Sequence, residues 1–142
     1  MSVLALFFAA VLANAPAPAP SARTDLTVVI EGVRDAQGLV RLDVCRRDTF
    51  LRADCEVSTS VKAQAGVVTV RLPAVPEGEY AIQAYHDRDG DGSVSRNPLG
   101  IPTEALGFSR APPLGLHGPS FARSAFVHAA DQTVTVRLRK LL

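Results

Sequence analysis

From Leu26 onward, apolar side chains recur at every second position, and that period points the chain toward strands. Leu26, Val28 and Ile30 alternate with Thr27, Val29 and Glu31, and Val40, Leu42 and Val44 alternate with Arg41 and Asp43. The same rhythm returns in Val68, Val70 and Leu72, and again in Val134, Val136 and Leu138. Successive side chains of an extended strand leave opposite faces, so each segment presents one apolar face to a core. Glu79–His86 and Ser124–Ala129 read as two more strands, and Val57–Ala63 as a weaker one. Asp35-Ala-Gln-Gly38 reads as a hairpin-like turn between the first two strands, and Ala130-Asp131 as the joint of the last pair. A period of 3.6 residues is missing from the whole stretch, apart from a short turn around Thr49–Ala53. The expectation is an all-β fold: a single antiparallel β-sandwich, immunoglobulin-like or transthyretin-like, of about seven strands with a long loop after the fifth.

The N-terminal part has a different character. Residues 1–22 contain no Lys, Arg, Asp or Glu. Val3–Ala13 is apolar, long enough for the core of a signal peptide and too short to span a bilayer. Ala13-Asn14-Ala15 supplies small residues for cleavage, although no basic residue precedes the apolar run and Pro16 is a poor neighbour to a cut. Ala15–Pro20 alternates Pro with Ala, which favours an extended, stiff spacer. The division expected is therefore residues 1–22 as signal peptide and spacer, and 23–142 as one β-sandwich domain. Cys45 and Cys55 fit the same compartment, because an even cysteine count in an exported chain reads as a disulfide. The expected location is the periplasm or the exterior. A net charge of +1 gives no clustered positive field, which argues against a nucleic-acid partner.

Chemistry is concentrated after the Tyr80 strand. Asp87, Asp89 and Asp91 stand at spacing two and are followed by Gly92. They match the first, third, fifth and sixth positions of a calcium-binding loop, where alternate carboxylates converge on one hard cation and Gly permits the turn. Ser93 and Ser95 would complete the ligands, with Glu104 replacing the acidic residue that the twelfth position lacks, since Pro98 stands there. The alternative is a solvated Asp/Gly turn leaving a strand. The rest of the Pro- and Gly-rich stretch from Asp87 to Arg123 is long enough to be functional. His86, Phe108, Arg110, His117 and Phe121 are its candidate recognition residues. A catalytic reading would need His86, Asp87 and Glu104 to converge as a metal-dependent hydrolase, or Ser109 or Ser120 to act as nucleophile. None of the common nucleophile, zinc or phosphate-loop motifs accompanies them.

The order of these segments carries a resemblance. Gly78-Glu-Tyr-Ala-Ile-Gln-Ala-Tyr-His-Asp87, the Asp/Gly loop, Leu99–Glu104, Gly107-Phe-Ser109, Gly118-Pro-Ser-Phe121 and Ala125-Phe126 together resemble the bacterial family called domain of unknown function 2141. The resemblance spans Leu26 to Leu138. It implies an exported β-sandwich and names no substrate. In that family Asn often stands where this chain has Asp89 and Asp91, and a carboxylate where it has Ser95. The leading expectation is thus a non-catalytic exported module with Ca²⁺ as its candidate ion. Its long loop would recognise a protein, glycan or small ligand. The hydrolase and a purely structural domain, whose loop covers a sheet edge, are the alternatives.

Overall fold

The computed structural model describes residue 17 and residues 19–52, 54–114 and 117–141. The expected signal segment and most of the Pro/Ala spacer lie outside the described residues. The elements are β1 (Arg23–Val33), β2 (Leu39–Cys45), β3 (Val57–Lys62), β4 (Gly66–Pro76), β5 (Gly78–Asp87), β6 (Leu106–Phe108), α1 (Phe121–Ser124), β7 (Phe126–His128) and β8 (Gln132–Arg137). They form two facing sheets, ordered β4–β1–β8 and β3–β2–β5–β6. The short β7 pairs with the first residues of β5. The fold is the expected sandwich, and every segment read as a strand contains one.

Pairing follows a pattern that alternation did not disclose. β1 pairs antiparallel with β4 and parallel with β8, while β2 pairs antiparallel with β3 and β5. The Asp35–Gly38 turn is therefore not a hairpin; it carries the chain from one sheet to the other. Ala130-Asp131 does the same between β7 and β8. Within the stretch read as loop, β6 and the single turn α1 add order. Backbone bonds between Leu106 and Arg139, 3.0 and 2.8 Å, tie β6 to the chain just beyond β8 and close one side of the sandwich.

The alternating apolar residues do meet. Leu26, Val28, Ile30, Val40, Leu42, Val44, Val70, Leu72, Ile82 and Val136 are buried between the sheets in one cluster. A second cluster lies on the outer face of β2 and β5, built from Cys45, Phe50, Ala81, Phe108, Phe121 and Ala125. Phe50 sits edge-on to both Phe108 and Phe121, with ring centroids 5.9 Å apart in each pair.

Cys45 and Cys55 form the expected disulfide, which staples the segment carrying Phe50 to the end of β2. In the chain-entropy account, closing so short a loop stabilises by about 2.5–3 kcal/mol. Replacing both cysteines by Ala is expected to lower the unfolding free energy by about that amount in urea titration. A loss below about 1 kcal/mol would show that the second cluster holds without its staple.

Candidate functional site

Strand alternation separates two neighbours that the sequence placed together. Tyr80, Ile82, Ala84 and His86 face inward along β5, whereas Asp87 leaves by the outer face, fully buried there. In the β2–β5 register Leu39 lies opposite Asp87, so Arg41 is its diagonal neighbour on that face. Arg41 Nε donates to Asp87 Oδ2 at 2.5 Å. The same carboxylate accepts N–H bonds from Gly90 (2.8 Å) and Gly92 (3.1 Å). Burial works to raise the Asp87 pKa, but the Arg41 guanidinium and the Gly92 and Gly90 amides outweigh it and hold the carboxyl below its ordinary range. Beside this pair, burial pushes the Tyr85 phenol up to about 12.

The loop after Asp87 is tightly hydrogen-bonded. Asp89 Oδ1 accepts from Asp91 N and its Oδ2 from the Ser95 hydroxyl. Asp91 Oδ1 accepts from the Ser93 amide and hydroxyl. Glu104 is buried, and its two oxygens accept from Arg88 N (2.9 Å) and Ser95 N (3.1 Å). It thus clamps the two ends of the Asp loop, a role that its reading as a substitute ligand did not foresee. Thr103 N and Oγ1 both donate to the Ser95 carbonyl, and Asn97 Oδ1 caps the Leu99 and Ile101 amides.

Asp87, Asp89 and Asp91 each place one carboxylate oxygen within 4.8 Å of the others. Oxygens bound to one Ca²⁺ at about 2.3–2.6 Å can lie up to about 5 Å apart, so this spacing suits a single ion. The charge of Asp87 is matched by Arg41, whereas Asp89 and Asp91 are exposed and have no ion-pair partner among the described residues.

Several candidate residues have other employment. Phe108 and Phe121, read as recognition residues, are buried in the second apolar cluster and are not presented to a partner. The reason is packing: on the outer face of β2 and β5, Cys45 and Ala81 are small, and the rings of Phe50, Phe108 and Phe121 cover them. Arg110 is exposed, but its guanidinium donates to the Ala125 carbonyl. His117 is exposed. Ser109 is no free nucleophile, since its buried hydroxyl donates to the Ser124 carbonyl at 2.6 Å and accepts from Ile82 N at 2.9 Å. His86 and Glu104 line one cavity between the ends of the two sheets, but Asp87 projects from the opposite face of β5. The three-residue hydrolase site is therefore not assembled. His128, a residue that a catalytic reading could also have used, is a buried structural residue bonded to the Thr24 hydroxyl and Gln132.

Among the described residues no helix is long and apolar enough to cross a membrane. Neither a curated protein nor a solved structure matches the chain. Residues 28–137, most of the sandwich from β1 to β8, match a bacterial family described as an uncharacterized protein conserved in bacteria, domain of unknown function 2141. The chain belongs to that family.

Proposed function

We propose that the chain is a non-catalytic, extracytoplasmic β-sandwich module whose Asp87–Ser95 loop takes one Ca²⁺. The observation that carries this reading is the convergence of three carboxylates within 4.8 Å in a loop whose backbone is already shaped by hydrogen bonds. Asp87, Asp89 and Asp91 supply the charged ligands, with the Ser93 carbonyl and Ser95 hydroxyl as neutral ones. The ion offsets the two carboxylates that lack a cationic partner, while Arg41 and Glu104 hold the loop in place. The disulfide supports export, since such bonds persist in oxidising compartments. Arg110 and His117, both exposed, are the residues of the long loop left to meet a protein, glycan or small ligand.

Calorimetric titration with Ca²⁺ tests the reading. Saturable binding is expected, with a stability gain of about 2.7 kcal/mol at a hundredfold excess over Kd. The D89N/D91N double variant should abolish that gain while melting close to the parent in chelator. No heat and no change in melting would remove the calcium claim. It would favour the structural alternative, which the loop's own bonding also supports.

A further inference from the structure

The loop after Asp87 holds the only two Asp–Gly pairs of the chain, Asp89-Gly90 and Asp91-Gly92. Such pairs carry an intrinsic reaction. The glycine nitrogen attacks the aspartate Cγ, a C–O bond of the carboxyl breaks, water leaves and a succinimide ring closes. Water then opens the ring at either carbonyl. One opening restores aspartate; the other gives isoaspartate, in which Cβ has entered the main chain. Mass and oxidation state are unchanged, and water is the only co-reactant. Glycine favours the attack because no side chain hinders the approach of its nitrogen. The fold imposes the pairing, since Gly90 and Gly92 have φ of +72° and +84°, a region that other residues occupy only at a cost. All four residues are exposed, so water has access to both pairs.

The hydrogen bonds of the loop oppose this reaction at both places. The nucleophile is a glycine amide stripped of its proton. Gly90 N donates that proton to Asp87 Oδ1 at 2.8 Å, and Gly92 N donates its own to Asp87 Oδ2 at 3.1 Å. One buried carboxylate thus holds both nitrogens, and Arg41 fixes it in place. Its negative charge disfavours an amide anion beside it, and neither peptide plane can turn toward Cγ without breaking a charge-assisted bond. The carboxylates under attack are held as well. Asp89 accepts from the Asp91 amide and the Ser95 hydroxyl, and Asp91 from the Ser93 amide and hydroxyl.

We infer that Asp89 and Asp91 are sites of spontaneous isoaspartate formation, and that Asp87 governs its rate by holding the nitrogens of Gly90 and Gly92. The reaction proceeds from an opened loop and not from the closed one. That opening is local, because the bonds to be broken lie within Asp87–Ser95. Once Cβ joins the main chain, the spacing that sets both amides on Asp87 is lost and the loop does not close again. The inference does not rest on calcium.

The test counts isoaspartate in the tryptic peptide Asp89–Arg96 after incubation of the full chain at neutral pH in chelator. The folded parent should isomerise at least about tenfold more slowly than the same chain unfolded in guanidinium chloride. Asp87→Ala should react about tenfold faster than the folded parent. Asp87→Asn, which keeps the shape and serves if Asp87→Ala does not fold, should react about fivefold faster. A C45A/C55A variant separates local from global opening, because it is destabilised elsewhere and keeps every bond of the loop; it should react at the parent's rate. No isoaspartate in the unfolded chain overturns the sites. Equal rates in the folded and unfolded parent, or in the parent and Asp87→Asn, overturn the role of Asp87. A rise in C45A/C55A as large as in Asp87→Asn assigns the reaction to global unfolding and overturns it too.

Discussion

Asp87→Ala is expected to lower the unfolding free energy by about 3–4 kcal/mol, among the largest losses available to a single polar substitution in this chain. Removing one member of a buried ion pair leaves the other uncompensated, which typically costs about 3–5 kcal/mol. Arg41 keeps 29% of its side chain exposed, so water recovers part of that loss. The Gly90 and Gly92 amides lose their acceptor as well, and both glycines are exposed enough for water to substitute. Asp87→Asn, which retains the shape but not the charge, should lose about half as much. Urea denaturation of both variants provides the measurement. A loss below about 1 kcal/mol for Asp87→Ala would mean that the ion pair contributes no net stability.

The same residue gives the prediction a pH signature. Its folded-state pKa lies below the unfolded value of 3.8. The folded state therefore holds the proton less tightly than the unfolded chain. The stabilisation is present in full above the unfolded pKa and is lost as pH falls through the folded one. Parent stability should decline as acid is added below about pH 4, and Asp87→Asn should show a shallower decline over that window. Parallel slopes for the two proteins would assign the acid sensitivity to other carboxylates. Asp25 and Asp35 also have lowered pKa values, through Arg71 and through the Gln37 amide respectively, and leave a residual slope in the variant.

Gly38→Ala should be comparably damaging, for a steric reason. Gly38 has φ +74°, a left-handed conformation that costs other residues about 1–2 kcal/mol. A Cβ there would stand 2.1 Å from the Asp87 carbonyl oxygen and 2.7 Å from Arg88 Cα, both backbone atoms that cannot turn aside. The crossing segment between β1 and β2 must then lift away from the end of β5. That movement would withdraw Gln37 from His86 and open the cavity wall. A loss of about 3 kcal/mol or more is expected, roughly 10–15 °C in melting temperature for a domain of this size. Melting within about 3 °C of the parent would show that the crossing can relax freely.

Gly38 also illustrates how far the sequence could be read. The pattern Asp-Ala-Gln-Gly marked a turn correctly, yet the same residues serve a hairpin or a passage between sheets. Only the strands that β1 and β2 join decide between them. The Asp87–Asp91 spacing likewise implied converging carboxylates, and they converge. Nothing near Asp87 in sequence indicated that Arg41, 46 positions earlier, holds it. Glu104 drew notice as an acidic residue near an acidic loop. Its actual partners are backbone amides, which every residue but proline carries and which leave no mark in the sequence. Phe108 and Phe121 looked available because they lie in a Gly- and Pro-rich stretch. They are consumed by Phe50, a neighbour supplied by the segment that the disulfide holds.

Alternation, turn residues and the cysteine pair were sufficient by themselves for the positions of seven of the eight strands, the sandwich class and the Cys45–Cys55 bridge. Each of these follows from short-range geometry: a strand shows its faces every second residue, and two cysteines allow one intramolecular bond. Tertiary structure alone decided which strands pair, that β8 runs parallel to β1, and which polar groups are left with unmet bonds. Backbone hydrogen bonds are nearly blind to residue type, and a side chain's role depends on partners brought from across the fold. For that reason Asp87 and His86, adjacent in sequence, belong to different sites on opposite faces of β5.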